Sequence, residues 1–490
     1  MSAGQIGLAD SDERKADETA HQCHILSLTD LDRCFSELSP YDVISIDADL
    51  TCASALECCP TSRRALFEIN QNNKSKIIQG NGHVLHRLGG LDECAAVRLA
   101  DVKDVQIRGL SFDEGETIPP CTLADTRCPS VVDVQFAENV TLANVKTYFG
   151  KGYAIRVWNS SDFTLEDSII SDSGMIGVYI GNYKYGVSKN VVIRSNVIAR
   201  SRANAIAIQG AVSRDPDHPV LIEGNILTGN HWHGLWPVPG VQGGITSGGQ
   251  LLLADGVNIR VTGNIIADGR CENCRPVGQT VAAIEIADQG PPPAGVAGLV
   301  IDHNDFLDGE GAAVRQNPGT EVSDITMSDN RVVGFRVLDT VVSPAIRAFN
   351  RIEADGSHVP NEIVSYQRMG RYYIGRRPDK LRSDKEAVFY LSAAPRPGAS
   401  GIPLLQCGQS AYPNGRSASA LMACQGLEQV KAVLGYVFER SYPSGRPFFK
   451  CRANGSQLEY FLSWDSTCRG YEVISQLGYA LPAVAGRSHN

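Results

Sequence analysis

Side chains that can transfer a proton or bind an anion recur in a series of short, similar segments. Four of them lie at the segment centres, namely Arg156, Tyr179, Glu285 and Arg315, and two carboxylates lie at segment ends, namely Asp255 and Asp288. A tyrosine can act as a base, an arginine can neutralise a carboxylate, and paired carboxylates can cleave a glycosidic bond. These residue types predict chemistry on a carbohydrate, provided that the fold brings them together.

Two segments between the repeats add further candidates. The stretch after Asn230 supplies His231, Trp232, His233 and Trp236, and the stretch after Asn182 supplies Tyr183 and Lys184. Aromatic rings can lie against sugars and a histidine can act as a base, but the same residues can also pack a loop onto its own protein. Both interpretations stay open. His231 and His233 could also ligate a metal, for which the sequence shows no third ligand.

The elements that must position these residues are short strands in a repeated order. The repeat extends from Ala95 to about Phe335, and each unit contains apolar, β-branched runs with period-two alternation, which is typical of strands. One run ends in asparagine at positions 196, 225, 264, 304 and 330, so the spacing is 29, 39, 40 and 26 residues. Stacked coils with loops of variable length explain this pattern. We expect the asparagines to occupy a left-handed turn and to form an amide ladder.

This repeat resembles the right-handed parallel β-helix superfamily, which includes pectate lyases, polygalacturonases and phage tailspikes. The resemblance covers roughly residues 41–354 and implies an all-β solenoid in which the strand before the asparagine-bearing strand lines a substrate cleft. It rests on the repeat alone. The Asn-Thr-Asp and Gly-His-Gly phrases of polygalacturonases and the Trp-Ile-Asp-His phrase of pectate lyases are missing from this sequence.

In such a coil, equivalent residues on neighbouring strands lie about 4.8 Å apart and alternate residues point outward. The predicted outward row is Arg98, Asp133, Arg156, Tyr179, Ala207, Leu252, Glu285 and Arg315, with Gln135, Trp158 and Gln209 at the next outward position and Asp255 and Asp288 near the strand ends. Aromatic, arginine and carboxylate side chains in one row favour a sugar-binding groove over a solvated, salt-bridged face. Substrate contacts are therefore expected from Arg98, Asp133, Gln135, Trp158, Tyr183, Lys184, Gln209, Trp232 and Trp236.

Two mechanisms fit this row. In a lyase that cleaves a uronate-containing polysaccharide, Arg156 would neutralise the carboxylate and Tyr179 or a loop histidine would remove the neighbouring proton. Asp133, or Asp255 with Asp288, could instead hold Ca²⁺. In a hydrolase, Glu285 would act with Asp255 or Asp288 at roughly 5–8 Å. A protein that only binds glycans or mediates adhesion is the third alternative.

Composition limits the remaining possibilities. The net charge of −9 and the calculated pI of about 5.6 argue against nucleic acid as a partner. No apolar run is long enough to span a membrane. The 14 cysteines, many in close pairs such as Cys52 with Cys58 or Cys59, Cys121 with Cys128 and Cys271 with Cys274, predict disulfides. We therefore expect a secreted, monomeric protein, although residues 1–21 contain no apolar signal segment.

The predicted domains are a disordered segment (residues 1–22), the β-helix (23–392), a linker (393–402) and a cysteine-rich module (403–490). Residues 27–38 have the apolar spacing of a short helix that would cap the first coil. The module is a duplication, because Pro403-Leu-Leu-Gln-Cys407 returns as Pro447-Phe-Phe-Lys-Cys451. Glycan binding and stabilisation of the solenoid are both possible roles for it.

Overall fold

The fold is known from a computed structural model. It describes residues 22–35, 41–59, 65–71, 77–88, 94–115, 129–181, 188–211, 213, 217–231, 248–269, 281–287, 295–307, 309, 311–317, 320–333, 351–353, 362–368, 371–376, 385–390, 403–408, 416–419, 429–437, 446–452 and 460–482. Most of these residues belong to strands, and the chain visits three long parallel sheets in turn. The predicted right-handed parallel β-helix is therefore confirmed.

Each complete coil contributes one strand to each sheet, and incomplete coils at the two ends add further strands to sheets 1 and 3. Sheet 1 contains Gln22–Ile25, Val43–Ile46, Ile77–Gln79, Lys103–Arg108, Glu138–Ala143, Ser161–Glu166, Lys189–Arg194, Val220–Glu223, Gly256–Thr262, Val296–Asp302 and Val322–Ser328. Sheet 2 contains Ala65–Asn70, Ala95–Ala100, Ser130–Gln135, Tyr153–Trp158, Val178–Gly181, Ile206–Gln209, Gly248–Ala254, Val281–Ala287 and Val314–Gln316. Sheet 3 contains Leu50–Cys52, Val84–Arg87, Ser111–Asp113, Lys146–Tyr148, Ile169–Ser171, Val197–Ala199, Ile226–Thr228, Ile265–Ala267, Asp305–Leu307, Arg331–Val333 and Arg351–Glu353.

The core lies inside the coils and consists of stacked β-branched and aromatic side chains. In the strand Ser130–Gln135, for example, Val132 and Val134 are fully buried, and Val132 has Val97 and Ile155 as its neighbours in the adjacent coils. Because the side-chain period of a strand is two, Asp133 between them must lie on the outer face. The alternation seen in the sequence therefore decides which residues sheet 2 presents outward.

The amide ladder is present and is fully buried. The side-chain Nδ2 of Asn225 donates to Oδ1 of Asn264 at 2.9 Å, and Nδ2 of Asn264 donates to Oδ1 of Asn304 at the same distance. The turn itself differs from the prediction, because the left-handed residue is the one before each ladder asparagine, such as Gly263 (φ 63°) and His303 (φ 55°). Each asparagine instead turns its amide inward and satisfies backbone groups of the neighbouring coils.

A short helix and three disulfides close the N-terminal end. The helix Leu28–Cys34 begins where the Asp30 carboxylate accepts hydrogen bonds from the backbone N–H groups of Leu26 and Ser27. Phe35 stacks on Phe67 of the first sheet 2 strand, with 4.6 Å between ring centroids. The predicted capping helix is therefore confirmed, and it ends at Cys34 rather than at residue 38. A second helix spans Ala55–Cys58. The disulfides join Cys23 to Cys34, Cys52 to Cys58 and Cys59 to Cys94.

The C-terminal strands are antiparallel. One sheet contains Arg371–Arg376, Glu362–Arg368, Lys385–Tyr390, Glu472–Pro482, Arg446–Arg452 and Tyr460–Ser463, and another contains Arg416–Ser419, Pro403–Gly408 and Gln429–Tyr436. A 3₁₀ turn spans Cys468–Gly470. Arg351–Glu353 is the last described strand of the parallel sheets, and Lys385–Tyr390 pairs with Glu472–Pro482 through Phe389 and Tyr390.

The first repeat of the module packs on the outside of the solenoid. Leu405, Cys407, Val430 and Val433 form one buried apolar cluster with outward side chains of sheet 3, namely Val197, Ala199, Ile226, Ile265, Ala267 and Leu307. Cys451 and Cys468 form a disulfide in the second repeat, and Cys407 is disulfide-bonded as well. Cys121, Cys128, Cys271, Cys274 and the linker 393–402 lie outside the described residues. The helices that the structure describes are all too short to cross a membrane.

Candidate functional site

The outer row of sheet 2 has the predicted register. Arg98 pairs with Asp133, Asp133 with Arg156, and Arg156 with Tyr179 on successive strands. The row continues through Ala207, Leu252, Glu285 and Arg315. It also begins one coil earlier than the sequence repeat indicated, because Glu68 of the strand Ala65–Asn70 pairs with Arg98. We call this row, from Glu68 to Arg315, the outer row.

The first half of the outer row is a network of paired charges. Asp133 receives two hydrogen bonds from the Arg156 guanidinium, from Nε to Oδ1 at 3.0 Å and from Nη2 to Oδ2 at 2.8 Å. Gln135 also donates to Asp133, at 2.8 Å. Arg98 pairs with Glu68 and contacts the amide oxygen of Gln135. With two arginines and two carboxylates, this half is electrically balanced, and Arg156 is not a free cation awaiting a uronate.

Aromatic rings accompany this network. The Arg156 guanidinium lies over the Trp158 ring, 4.5 Å from its centroid, and 5.6 Å from the centroid of Tyr153. Tyr153 packs in turn against Tyr179, with 5.3 Å between ring centroids. The side chain of Trp158 is only partly exposed, and Arg156 lies over one face of its ring. The predicted sugar platform at Trp158 is therefore shared with an arginine of its own protein.

Tyr179 has the wrong acidity for a catalytic base. Burial raises the pKa of its hydroxyl far above the ordinary value, and the neighbouring Tyr153 adds to this shift against the opposing effect of Arg156. Its hydroxyl donates to Oε1 of Gln209 at 2.7 Å. A phenol that is protonated and already donating can position a neighbour, but it cannot remove a carbon-bound proton near neutral pH.

The middle of the outer row is apolar. Ala207 and Leu252 are 1% and 5% exposed and belong to a cluster on the outer face with Met175, Ile176, Ala203, Ala287, Tyr153 and Tyr179. The polar groups of the row are therefore divided into two sets, before and after this cluster. The alternating pattern predicted the positions of these residues, but it gave no indication that they would be buried.

The second polar set contains Glu285, Arg315 and His231. Glu285 is 3% exposed, accepts a hydrogen bond from Nδ2 of Asn317 at 2.7 Å, and pairs in register with Arg315 on the next strand. His231 is 2% exposed, and burial together with the positive charge of Arg315 lowers the pKa of its imidazole to about 4. A neutral imidazole thus lies within the electrostatic influence of a guanidinium.

The position of the imidazole is defined by a glycine. A β-carbon at Gly248 would come within 1.8 Å of Cε1 and 1.9 Å of Nε2 of His231, so only a residue without a side chain fits beside this ring. The backbone N–H of His231 donates to the carbonyl oxygens of Ser201 and Ala203. Among the described residues, Nδ1 of His231 has no hydrogen-bond partner. The backbone hydrogen bonds and the glycine therefore fix the position of the ring.

Asp255 does not belong to the row. It lies in a left-handed turn (φ 53°) after the strand Gly248–Ala254, and its Oδ1 accepts the backbone N–H of Gly295 at 3.0 Å. In register, Leu252 is opposite Glu285, so Asp255 is three residues farther along, with its Cα roughly 11 Å from that of Glu285. Asp255 therefore closes a turn, and its pairing with Glu285 stays a prediction.

Several predicted site residues lie outside the described part of the chain: Tyr183, Lys184, Trp232, His233, Trp236 and Asp288. Within the residues that are described, no group of three or more His, Cys, Asp or Glu side chains could hold a metal ion. Asp133, the other candidate for Ca²⁺, has its carboxylate occupied by Arg156 and Gln135.

Sequence reasoning missed three residues of the site. Glu68 is flanked by Phe67 and Ile69, the same apolar–charged–apolar signal as Val97-Arg98-Leu99, one coil before the recognised repeat. Asn317 directly follows the last strand of sheet 2 and Tyr153 begins another, so each lies at a strand end where alternation does not predict direction. Only the register and contacts of the folded chain reveal Asn317 and Tyr153.

Residues 95–266 match the family model described as a right-handed β-helix region. Among solved structures, PfbA, a surface adhesin of Streptococcus pneumoniae, is similar with 13% identity and a TM-score of 0.44, covering 68% of this chain and 77% of its own. An alginate lyase from Paenibacillus sp. has 11% identity and a TM-score of 0.39, covering 69% and 98%. A pectate lyase from Paenibacillus sp. has 12% identity and a TM-score of 0.35, covering 64% and 78%. No curated protein matches the chain. With TM-scores below 0.5, the structural similarities carry no information about its activity.

Proposed function

We propose that this protein is a secreted polysaccharide lyase that binds a uronate-containing chain along the outer row and cleaves it by β-elimination. The observation that carries the proposal is that the buried, neutral imidazole of His231, whose position Gly248 limits, lies within the electrostatic influence of Arg315. Elimination next to a carboxylate needs both groups, a base for the carbon-bound proton and a cation for the carboxylate. The disulfides of the chain are typical of an extracellular protein.

In the proposed reaction, Arg315 pairs with the uronate carboxylate and stabilises the negative charge that develops there. His231 takes the proton from the carbon next to the carboxylate, the electron pair of that bond forms a carbon–carbon double bond, and the carbon–oxygen bond to the leaving sugar breaks. The leaving oxygen takes up a proton from water, and His231 then releases its proton to water. Burial is the larger cause of the lowered pKa of His231 and Arg315 is the smaller one; when the substrate anion neutralises Arg315, that smaller effect weakens and the imidazole becomes a stronger base. A sugar reaches a residue this buried only after the surrounding side chains move apart.

Glu285 has a positioning role in this proposal. It lies next to Arg315 in register and its carboxylate is held by Asn317, so it can orient the guanidinium between substrate and strand. Hydrolysis by two carboxylates has less support, because Asp255 is engaged at a turn and Asp133 lies five coils from Glu285, about 24 Å.

The test is a panel of uronate-bearing and neutral polysaccharides followed by two signals, the ultraviolet absorbance of an unsaturated uronate and the appearance of new reducing ends. Both signals should rise for the wild-type protein, and both should be lost in His231→Gln and Arg315→Gln. Arg194→Gln is the matched control, because Arg194 is a half-exposed arginine of sheet 1 paired with Glu166. Reducing ends without absorbance would identify a hydrolase and contradict elimination.

A non-catalytic glycan-binding protein is the second candidate. The balanced charges of Glu68, Arg98, Asp133 and Arg156 favour it, because such paired groups donate to and accept from neutral sugar hydroxyls without any excess charge. Binding of a neutral glycan without either signal, and unaffected by His231→Gln, would support this alternative over the lyase.

A further inference from the structure

One exposed aromatic residue of the solenoid has a backbone conformation that disfavours its type. Phe136 follows the strand Ser130–Gln135 directly, its φ is 52°, and it is 51% exposed. Single exposed apolar residues are common and need no explanation. A left-handed conformation at a bulky residue is different, because the β-carbon then crowds the following carbonyl group, and such positions concentrate at functional sites.

The neighbouring coils show what this turn prefers. The residues before and after Phe136 in the stack are Asp101 (φ 54°) and Asn159 (φ 48°), which follow Ala100 and Trp158 as Phe136 follows Gln135. Asparagine and aspartate tolerate left-handed angles because their short side chains bond locally. Phenylalanine has no such compensation. The ring therefore occupies a position where folding alone favours a small polar residue.

Phe136 also lies at the edge of the outer row. It adjoins Gln135, which bonds to Asp133, and its backbone N–H donates to the carbonyl oxygen of Trp158 at 3.0 Å. Its backbone is thus locked by the coil stack while its ring remains half exposed. An immobile backbone with an exposed ring is a suitable platform for the apolar C–H face of a sugar.

We propose that Phe136 is a substrate-binding residue, an aromatic subsite for the glycan chain far from the bond that is cleaved. This inference rests on the proposed function. The strand that leads into Phe136 carries Asp133, and five coil steps separate Asp133 from Glu285, about 24 Å. Only a chain of several sugar units spans that distance. The substrate is therefore a polymer, and a short oligosaccharide bound near Glu285 does not contact Phe136.

The test compares Phe136→Asn with the wild-type protein on short (di- and trisaccharide) and long (decasaccharide and polymer) fragments of a polysaccharide that the wild type binds. Affinity for long fragments, measured by calorimetry, should fall by about fivefold or more, which corresponds to the loss of one ring contact. Affinity for short fragments should not change. The melting temperature should stay the same or rise, because asparagine suits the left-handed turn better than phenylalanine. Phe136→Tyr keeps the ring and should bind long fragments as the wild type does.

Phe149→Asn is the matched control. Phe149 has nearly the same backbone angle (φ 56°) and an equivalent backbone hydrogen bond, but it follows the strand Lys146–Tyr148 of sheet 3, away from the outer row. The variant Phe149→Asn should shift the melting temperature in the same direction as Phe136→Asn, without changing the affinity for long fragments. Wild-type affinity of Phe136→Asn for long fragments would overturn the inference alone. A lower melting temperature would identify Phe136 as a packing residue, and a wild type that binds no glycan would overturn the proposed function together with this subsite.

Discussion

Arg156 and Asp133 form a two-point ion pair across neighbouring coils, with donor–acceptor distances of 3.0 and 2.8 Å. The Asp133 side chain is only 6% exposed and that of Arg156 is 16% exposed, so water screens the pair weakly. Two residues that look like separate ligands for a substrate are therefore first of all ligands for each other. A substrate that binds to this part of the outer row therefore contacts Arg156 and Asp133 together, as one ion pair.

We expect Asp133→Ala to lower the free energy of unfolding by about 3 kcal/mol, because it leaves the Arg156 guanidinium buried without its counter-charge. The double variant Asp133→Ala/Arg156→Met should recover part of this loss, since the unpaired charge is then removed. Glu166→Ala is the control, because Glu166 pairs with the half-exposed Arg194 and should cost less than about 1 kcal/mol. Urea denaturation of the four proteins measures these values, and equal losses for Asp133→Ala and Glu166→Ala would contradict the buried pair.

Tyr179→Phe tests whether the phenol is a base or a structural donor. Its hydroxyl donates to Gln209 at 2.7 Å, so the variant should lose about 1 kcal/mol of stability. Because burial raises the pKa of this hydroxyl, the turnover number should stay within about threefold of the wild type. A loss of turnover by orders of magnitude with unchanged stability would instead restore Tyr179 as the base.

Stability should depend on pH through His231. The pKa of its imidazole is lowered from the ordinary value of 6.5 to about 4 in the folded protein. Between these two values the unfolded chain binds a proton that the folded protein does not, so stability falls as the pH falls from 6.5 towards 4. The total loss from this group is about 3 kcal/mol. His231→Gln should lack this component, and the difference between the two denaturation profiles isolates it. Parallel profiles would show that His231 is not buried as a neutral group.

The amide ladder should be a strong source of stability. Asn264→Ala removes the donor to Asn304 and to the carbonyl oxygen of Ile222, and the acceptor for the N–H groups of Asn225, so we expect a loss of about 3 kcal/mol. Ser168→Ala, at the corresponding turn of an earlier coil, removes a hydroxyl that accepts from the N–H of Val145 and donates to the carbonyl oxygen of Glu166, and it should cost about 1 kcal/mol. Calorimetric melting ranks the two variants, and an unchanged melting temperature for Asn264→Ala would contradict the ladder.

The duplicated module offers a matched pair of variants for its contact with the solenoid. Val430 is 8% exposed and packs towards sheet 3, whereas Val473, the corresponding residue of the second repeat, is 42% exposed. Val430→Asp buries an unpaired carboxylate, so the first repeat should detach and become sensitive to protease. Val473→Asp should resemble the wild type. Equal protease resistance of both variants would show that the first repeat does not depend on this contact.

The sequence by itself was sufficient for the solenoid and for the register of the outer row. Val132, Ile155 and Ile284 alternate with Asp133, Arg156 and Glu285, and because a strand has only two faces, burying the apolar set places the charged set outside. The recurring asparagines predicted the ladder, because each coil turns at the same position around the solenoid and equivalent asparagines therefore stack on one another.

Only the tertiary structure decided what the outward residues do. Alternation gives a direction but not a partner, so the pairing of Arg156 with Asp133, the burial of Leu252 and the turn role of Asp255 could not be read from spacing. His231 lies in a segment without periodicity, and its low pKa depends on burial and on Arg315, 84 residues later in the chain. Acidity and charge pairing are properties of distances between coils, and those distances exist only once the chain has stacked.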